Sequence, residues 1–394
     1  MELKNKLERI MAQAVETCEV AGVNLLVEKD GEEICYCEAG FADVEKGRPM
    51  RRDTILRLYS QSKPVTAAAA MLLMERGDLD LCQPVSDFLP AYGNLMVAEG
   101  GGLRPARTPM RVFDLLKMTS GLVYPDNVTM AGIQPDAVFR EMDRRLLTEE
   151  AMTTRELADA LAGCALAYDP GSSWQYGTSA DVLGAVIEVV SGKSFGQFLQ
   201  EELFDPLGMK DTAFWVPADK QDRLAGAYET VTEENGRRSL LRYTGNNLAI
   251  RNDMAKEPAF ASGGAGLAST LDDYMRFSRM LQQGGQLDGV RILRPETVHY
   301  MISGELMEPQ QTAFDRWIGL DGFSYGNLMR VCKRPDRAGY PVRAGEYGWD
   351  GWLGPYFANF PQEKLTILMG TQKKDAGTFT LTRKLRNVIL TELF

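Results

Sequence analysis

The order of apolar and polar positions predicts a helix at the start of the chain, followed by two paired strands. Between residues 3 and 18 apolar side chains recur every three or four positions, and charged residues fill the opposite face. Residues 23–27 then alternate, Lys29-Asp30-Gly31 suits a turn, and residues 34–39 form a second alternating run. The chain therefore opens with an amphipathic helix and a β-hairpin.

From residue 61 to about 325 the pattern is mostly helical, with turn-rich spacers. The first helix of this region carries Ala, Met and Leu on nearly all sides, which predicts that it is buried. Helices are predicted from Lys63 to Gly77, from the capping box Thr153-Thr154-Arg155-Glu156 toward Cys164, from Asp181 to Val190, from Asp272 to Gly284, and from Pro295 past His299.

Strand patterns return near the end of the chain. Residues 356–360 and 365–369 flank a turn, and a final helix is predicted from about Thr378 to Leu393. Strands at both ends thus bracket a helical middle. The simplest arrangement is an α/β (α+β) fold, in which both termini build one antiparallel sheet with the terminal helices on one face and the helical insert on the other.

We expect a single catalytic domain over residues 1–394. Its α/β part is expected to combine residues 1–59 with residues 326–394, and its mainly helical part to span residues 60–325. The sequence leaves open whether residues 216–262, which have little periodicity, form a lid.

Composition narrows the class of protein. With 44% hydrophobic residues in 394, the chain can bury a large core, and a net charge of −10 without a dense Lys/Arg block argues against binding to nucleic acid. No apolar run reaches the roughly 18 residues that span a membrane, and the N-terminal pattern is not that of a secretory signal. We therefore expect a cytoplasmic protein that does not bind membranes, while its oligomeric state stays open.

Metals and cofactors are not expected. The six cysteines lack metal-ligand spacing, and His299 is the single histidine. Free thiols are predicted, and Cys35 and Cys37, which share one strand face, are interpreted as packing or surface thiols rather than a redox pair.

The candidate chemistry lies in Ser60-Gln61-Ser62-Lys63, at the start of the buried helix. Ser-His-Asp catalysis would have to use His299, whose helix suggests packing, whereas a serine with a lysine one turn later needs no imidazole. Residues three apart share a helix face, and the helix N-terminus offers N–H groups to an oxyanion. The spacing alone is weak, because Ser60 as a helix cap and Lys63 as a solvated residue would give the same letters.

Two other motifs fail as phosphate sites. Gly192-Lys193-Ser194 lacks the earlier glycine and the preceding strand of a P-loop. Gly263-Gly264-Ala265-Gly266 lacks a strand-then-helix context and fits better as a tight passage of backbone beside the nucleophile. No Gly-x-Ser-x-Gly elbow occurs, which removes the usual α/β-hydrolase interpretation.

Several segments in order resemble the serine β-lactamase and penicillin-binding-protein superfamily, in particular its class C β-lactamase and family VIII carboxylesterase branch. That resemblance implies a β-lactamase/transpeptidase-like fold. The matching segments, which span most of residues 22–371, are Ser60-Gln61-Ser62-Lys63, Leu116–Leu122, Pro170–Thr178, Pro206–Thr212, Gly263–Thr270 and Trp349-Asp350-Gly351.

The resemblance assigns roles to residues of this chain. Ser60 is the implied nucleophile, Lys63 its activating base, and Tyr176 the phenol that exchanges protons with the leaving group. The backbone N–H groups of Ser60 and Trp352 are the implied oxyanion hole. Trp349-Asp350-Gly351 stands where the family usually has Lys-Thr-Gly or His-Thr-Gly and resembles the Trp-x-Gly variant of the esterases.

Two departures bear on the substrate. Trp349 replaces a cation that helps to hold a substrate carboxylate, and Asp350 would repel an anion if it faced the cleft. Thr178 replaces the asparagine of the Tyr-x-Asn motif, which removes an amide contact to the substrate. Both changes favour an esterase over a β-lactamase, and Asp350 further suggests a preference for cationic or neutral substrates over anionic ones. Trp349, Asp350, Gly351 and Thr178 are the expected substrate-binding residues.

The expected function is therefore that of a serine hydrolase, a carboxylesterase acting on small or medium acyl esters through an acyl-enzyme at Ser60. A β-lactamase, a D-amino-acid peptidase or amidase, and an acyltransferase of the same fold are alternatives. A further alternative, from another class, is a non-catalytic penicillin-binding-like protein. The expected partner is a small-molecule ester or amide.

Overall fold

The computed structural model describes residues 2–317 and 319–394. In chain order the strands are β1 (Gly22–Lys29), β2 (Glu32–Asp43), β3 (Arg48–Pro49), β4 (Leu56–Arg57), β5 (Met96–Glu99), β6 (Gly102–Pro105), β7 (Ala227–Thr232), β8 (Arg238–Tyr243), β9 (Ala268–Ser269), β10 (Gln286–Leu287), β11 (Val290–Arg291), β12 (Phe323–Tyr325), β13 (Arg330–Cys332), β14 (Tyr347–Asp350), β15 (Tyr356–Phe360) and β16 (Leu365–Thr371). Eight of these strands form the main antiparallel sheet, in the order β12-β13-β14-β15-β16-β1-β2-β3.

Helices cover both faces of this sheet. They are α1 (Glu2–Glu16), α2 (Lys63–Arg76), α3 (Val112–Leu116), α4 (Met130–Arg145), α5 (Thr154–Ala162), α6 (Ser179–Ser191), α7 (Phe195–Leu199), α8 (Asp205–Leu207), α9 (Leu271–Gln282), α10 (Pro295–Ile302), α11 (Glu308–Phe314) and α12 (Thr380–Leu393).

The two ends of the chain meet in the middle of the sheet. Strand β1 pairs with β16 on one side, with Val23 opposite Thr371, and with β2 on the other. The alternating residues Val23, Leu25 and Val27 face α1 and α12 and form one buried layer with them. Leu26, which lies between Leu25 and Val27 in the strand, faces the opposite side of the sheet and joins the larger core of the helical region. The predicted antiparallel sheet and its two helical layers are confirmed.

Helix α2 lies inside the larger core. Eleven of its fourteen residues are buried, and it ends at Gly77, which takes the left-handed conformation with φ 81°. Because this helix has no solvent face, its first residue, Lys63, is carried into the interior. The prediction of a buried helix at this place is confirmed.

The sequence pattern omitted several strands. Strands β12, β13 and β14 form one side of the main sheet, and the hairpins β5–β6 and β7–β8 interrupt the region predicted as mostly helical. Strands β5, β6, β12, β13 and β14 have only three or four residues each, which give too few alternating positions for a period of two. Strands β7 and β8 lie at 227–243, within residues 216–262, which have little periodicity. The division into an α/β part and a helical part stays a prediction, and β12 at Phe323–Tyr325 shows that sheet residues begin just before residue 326.

Within the described residues, no single helix is both long and apolar enough to cross a membrane. One bent pair of helical segments, 179–191 and 195–207, passes that test together by length and composition only.

All six cysteines are free thiols, and Cys35 and Cys37 are buried in the layer beneath the terminal helices.

Candidate active site

A short 3₁₀ turn, Tyr59–Ser62, leads into α2 and sets the place of Ser60. Tyr59 has a left-handed backbone with φ 46°, an unfavourable conformation for a residue with a side chain, and its ring packs edge-on against Trp352 at 5.0 Å. Ser60 and Lys63 lie one turn apart on the same face. The local sequence therefore delivers a hydroxyl and an amine to one point at the start of a buried helix.

The side chain of Lys63 is fully buried and has three polar neighbours. Its Nζ lies 3.1 Å from Ser60 Oγ, 3.1 Å from the Tyr124 hydroxyl and 2.7 Å from the carbonyl oxygen of Gly264. A neutral amine has two N–H bonds and one lone pair, which match donation to Gly264 and Tyr124 and acceptance from Ser60. Burial lowers the pKa of Lys63 to about 7, against the opposing charges of Asp181 and Asp350.

The carbonyl of Gly264 is held in place by a buried carboxylate. Asp181, in the first turn of α6, accepts hydrogen bonds from the Gly264 N–H at 3.0 Å and from the Ser262 hydroxyl at 2.6 Å. Gly263 passes so close to α6 that a Cβ there would lie 2.3 Å from the carbonyl oxygen of Ala180. The predicted tight passage of backbone beside the nucleophile is confirmed, and it places the Gly264 carbonyl where Lys63 donates a hydrogen bond to it.

Tyr176 lies above the same amine. Lys63 Nζ is 4.6 Å from the centroid of its ring, and the indole N–H of Trp349 donates to its phenol oxygen at 2.9 Å. Burial raises the pKa of Tyr176 far above its usual value, even though hydrogen bonds from Ser60 and Trp349 act in the opposite direction. The phenol therefore keeps its proton and is suited to donate it.

Strand β14 brings the third predicted motif to the nucleophile. Gly351 follows the strand and lies so close to the turn before Ser60 that a Cβ there would be 2.1 Å from the carbonyl oxygen of Leu58. Among the described residues, no backbone acceptor receives the N–H of Ser60 or that of Trp352. The close approach of Gly351 to the Leu58 carbonyl is the physical reason for glycine at position 351. The same approach sets the backbone of Trp352 beside the nucleophile.

These residues surround a cavity of about 380 Å³. Ser60, Tyr176, Trp349, Asp350, Gly351 and Trp352, all predicted for the site, line it together. The remaining lining residues are Tyr59, Tyr124, Asn247, Leu248, Trp317, Asp375, Ala376 and Gly377.

Thr178 is the predicted binding residue that the structure does not bring to the cavity. It precedes α6, is fully buried, and is absent from the cavity wall. Its hydroxyl has no hydrogen-bond partner among the described residues. Thr178 lies two residues beyond Tyr176, and the chain has already turned into the helix at that point, which is why the prediction from spacing placed it wrongly.

Prediction from the sequence missed Asp181 and eight of the residues that line the cavity. Tyr124 contacts Lys63, Asp181 positions Gly264, and Asn247 and Leu248 form part of the cavity wall. Tyr124 lies only two residues after the Leu116–Leu122 segment, so proximity to that motif is a signal that was available. Asn247 and Leu248 come from the region left open as a lid and contribute a wall to the cavity.

His299 is exposed on α10 and does not line the cavity, so the predicted packing role is wrong. Its helix is short and only one face of it is buried, at Thr297, Val298 and Met301.

Among the described residues, no group of three or more His, Cys, Asp or Glu side chains is close enough to hold a metal ion.

Comparison with protein families gives one match over nearly the whole chain. The family model described as Beta-lactamase matches residues 7–390. Esterase EstB of Burkholderia gladioli is 31% identical over 405 aligned residues, which cover 98% of this chain and 95% of that protein.

Two further similarities concern acyl transfer. The solved structure of EstCE1, a hydrolase with promiscuous acyltransferase activity, aligns with a TM-score of 0.82 and 26% identity over 98% of both chains. Monacolin J acid methylbutanoyltransferase of Aspergillus terreus is 31% identical over 271 residues, covering 66% of this chain and 60% of that protein. The similarity therefore extends to proteins named for hydrolysis and to proteins named for transfer of an acyl group.

Proposed function

This chain belongs to the beta-lactamase family and is a serine hydrolase, and from that premise we propose that it is a carboxylesterase that forms an acyl-enzyme at Ser60. The observation that carries the proposal is the buried amine of Lys63, which lies 3.1 Å from Ser60 Oγ, while Ser60 itself lines a mostly apolar cavity. An amine whose pKa is about 7 is half neutral at physiological pH and is therefore able to accept a proton.

In the first step, the oxygen of Ser60 bonds to the acyl carbon while its proton passes to Lys63 Nζ. The carbonyl π bond opens to an oxyanion, which the N–H groups of Ser60 and Trp352 stabilise. The positive end of α2 adds to this stabilisation, because Ser60 precedes its first turn. The result is a tetrahedral intermediate with a protonated Lys63.

In the second step, the intermediate collapses and the bond to the leaving oxygen breaks. Tyr176 gives its proton to that oxygen. The ammonium of Lys63, whose Nζ lies 4.6 Å from the centroid of the Tyr176 ring, is the source from which the proton is replaced. Water then attacks the acyl-enzyme with the same groups in reverse order, and releases the acid and free Ser60.

The cavity favours esters over β-lactams. No Lys, Arg or His is among its lining residues, while Asp350 and Asp375 are, so the carboxylate of a β-lactam would meet like charge and no cation. We expect chromogenic cephalosporins and D-alanyl peptides to be turned over much more slowly than short-chain esters. Rates on the three substrate classes, measured side by side at one pH, check this expectation.

Acyl transfer is the second candidate activity, because the similarity extends to EstCE1 and to the Aspergillus transferase. In the mostly apolar cavity an alcohol competes with water for the acyl-enzyme. The test is the ratio of transester to free acid that forms from one ester donor as the concentration of an added alcohol rises. A ratio that stays at zero would leave hydrolysis as the only outcome.

The direct test of the proposal is hydrolysis of p-nitrophenyl butyrate by Ser60→Ala. We expect this variant to lose activity by about 10³-fold or more, because no other side chain replaces the nucleophile. Ser172→Ala, which changes an exposed serine outside the cavity, is the matched control and keeps its activity. Full activity of folded Ser60→Ala would overturn the proposal.

A cytoplasmic location and a small-molecule ester as the partner are parts of the same proposal. The six free thiols support a reducing compartment, and the size of the cavity supports a small substrate. Fractionation of cells that express the native chain tests the location, and activity in a periplasmic or extracellular fraction would contradict it.

A further inference from the structure

The cavity at Ser60 has an unusual balance of charge. Of its fourteen lining residues, Asp350 and Asp375 are acidic and none is basic. Lys63 lies behind Ser60 with a pKa near 7, so it compensates at most part of this negative charge. A ligand in the cavity therefore meets a field that attracts cations.

Asp350 is the inner of the two carboxylates. It ends strand β14, directly after Trp349, and its Oδ2 accepts a hydrogen bond from the hydroxyl of Thr378. Among the described residues, no Lys, Arg or His nitrogen lies within 4.0 Å of its oxygens, as ion pairing requires. Arg330, which exerts charge on it from the interior, is directed to Glu346 and Tyr356 instead. Burial raises the pKa of Asp350, while the positive charge of Arg330 and the hydrogen bond from Thr378 act in the opposite direction. Because no basic side chain in the described ranges pairs with this carboxylate, it is free to pair with a cation in the cavity.

Asp375 lies at the mouth of the cavity, where its side chain is 66% exposed. The indole N–H of Trp352 donates to its Oδ1 at 2.6 Å. Lys374 is 3.7 Å from its Oδ2 but lies closer to Glu229, at 3.1 Å, so one ammonium is shared between two carboxylates. Lys374 therefore compensates only part of the negative charge of Asp375.

Aromatic side chains make up six of the fourteen residues that line the cavity. Three indoles and three phenols line the cavity: Trp317, Trp349, Trp352, Tyr59, Tyr124 and Tyr176. Aromatic rings attract cations through the negative face of the π system, and alkylated ammonium groups are bound in this way because they lack N–H donors and shed water easily. A wall rich in rings and flanked by acids matches such a group better than it matches a neutral chain.

We propose that the natural ester carries a positively charged alkylammonium group, which the indoles and the carboxylates of Asp350 and Asp375 hold while Ser60 attacks the carbonyl. This inference deepens the esterase function proposed above and rests on it. It assigns to Asp350 and Asp375 a part in substrate selection.

The test compares two esters that differ in one atom. Butyrylcholine carries a quaternary nitrogen, and 3,3-dimethylbutyl butyrate carries a quaternary carbon in its place, so size and leaving-group shape are the same. At constant ionic strength we expect kcat/KM to be about 10-fold higher for the cationic ester, the ratio expected from a desolvated cation–π contact. A ratio at or below one would overturn the inference.

Variants show whether the carboxylates cause the preference. In Asp350→Asn and in Asp375→Asn the ratio of the two rates is expected to fall, with the larger fall for Asp350→Asn, since Lys374 already compensates part of the charge of Asp375. Asp219→Asn, which changes an exposed carboxylate outside the cavity, keeps the ratio of the parent. A high ratio that is unchanged in both cavity variants would also contradict the inference.

Failure of the esterase function would be distinguished by binding. In Ser60→Ala, calorimetric titration with choline is expected to give tighter binding than titration with 3,3-dimethylbutan-1-ol. If Ser60→Ala prefers choline but the parent protein hydrolyses no ester, the proposed esterase function is contradicted and the cation site is supported. If the parent hydrolyses both esters but Ser60→Ala shows no preference for choline, the cation site is contradicted and the esterase function is supported.

Discussion

At the scale of single residues, the central fact is that a lysine takes the place of histidine as the base. An exposed lysine is protonated at neutral pH, but Lys63 is fully buried at the start of α2, and burial is the largest cause of its lowered pKa. Asp181 and Asp350 oppose this effect, so the pKa settles at about 7 instead of falling further. The residues around the amine therefore set the pH range in which Ser60 can be activated.

The pH dependence of the reaction follows from the sign of this effect. Only neutral Lys63 accepts the proton of Ser60, so kcat/KM for a neutral ester is expected to rise about tenfold per pH unit below the pKa and to level off above about pH 7. The measurement is a profile of kcat/KM between about pH 5 and 9, with folding checked at each end. A flat profile across that range would contradict the role of Lys63.

Asp181 is a positioning residue whose charge is separable from its hydrogen bonds. Asp181→Asn keeps an oxygen that accepts from Ser262 and Gly264, but removes a negative charge that favours the ammonium form of Lys63. The pKa of Lys63 is then lower, and the acidic limb of the pH profile is expected to move to lower pH. Asp219→Asn is the control, and a limb that moves equally in both variants would exclude this explanation.

Trp349 is expected to act on the leaving group through Tyr176. In Trp349→Phe the phenol loses its indole donor, and kcat for alkyl esters is expected to fall about 10-fold. Esters of p-nitrophenol should be affected less, because that leaving group departs without a proton. Trp215→Phe, outside the cavity, is the matched control; equal losses for both leaving groups would indicate that Trp349 acts by packing alone.

At the scale of elements, a buried ion pair joins helix α12 to the residue that directly precedes strand β14. The guanidinium of Arg386 contacts both oxygens of Glu346, at 2.5 and 2.9 Å, and both side chains are almost completely buried. Arg330 lies 3.8 Å from the same carboxylate. Glu346 directly precedes β14, so this pair holds the strand that carries Trp349 and leads to the oxyanion residue Trp352.

The ion pair predicts a large loss of stability when only one partner is removed. Arg386→Met leaves the carboxylate of Glu346 buried with a weaker partner, and we expect the free energy of unfolding to fall by about 3–5 kcal/mol. The double variant Arg386→Met, Glu346→Gln is expected to lose less, because no carboxylate remains to be compensated. Denaturant titration measures both, with Arg9→Met as an exposed control; equal losses in the single and double variants would contradict the argument.

At the scale of the whole molecule, the site forms where two distant parts of the chain meet. Ser60 and Lys63 come from the start of α2, while Trp349 and Trp352 come from the end of the chain, which returns to the sheet beside β1. The cavity therefore exists only after both termini have joined one sheet. Its chemistry depends on contacts between residues nearly three hundred positions apart.

Whether the sequence predicts a feature of this arrangement depends on whether the residues that form it are neighbours along the chain. The Ser60 and Lys63 pair is local to one helical turn, and the terminal strands have clear alternation, so both are predicted by pattern. Tyr124 and Asp181 contact Lys63 and Gly264, which are distant from them in the chain, so the local pattern of apolar and polar residues does not indicate their role. Strand β13 is equally hidden, because three residues beginning with a buried arginine, Arg330, give no alternation.

The most direct test of the central claim is covalent labelling of the nucleophile. A fluorophosphonate probe reacts with activated serines, and peptide mass spectrometry identifies the residue that it modifies. We predict one adduct per chain, on Ser60, with labelling lost in Ser60→Ala and in Lys63→Met and kept in Ser172→Ala. Folded protein that carries no adduct on Ser60, or that labels equally well in Lys63→Met, would contradict this account.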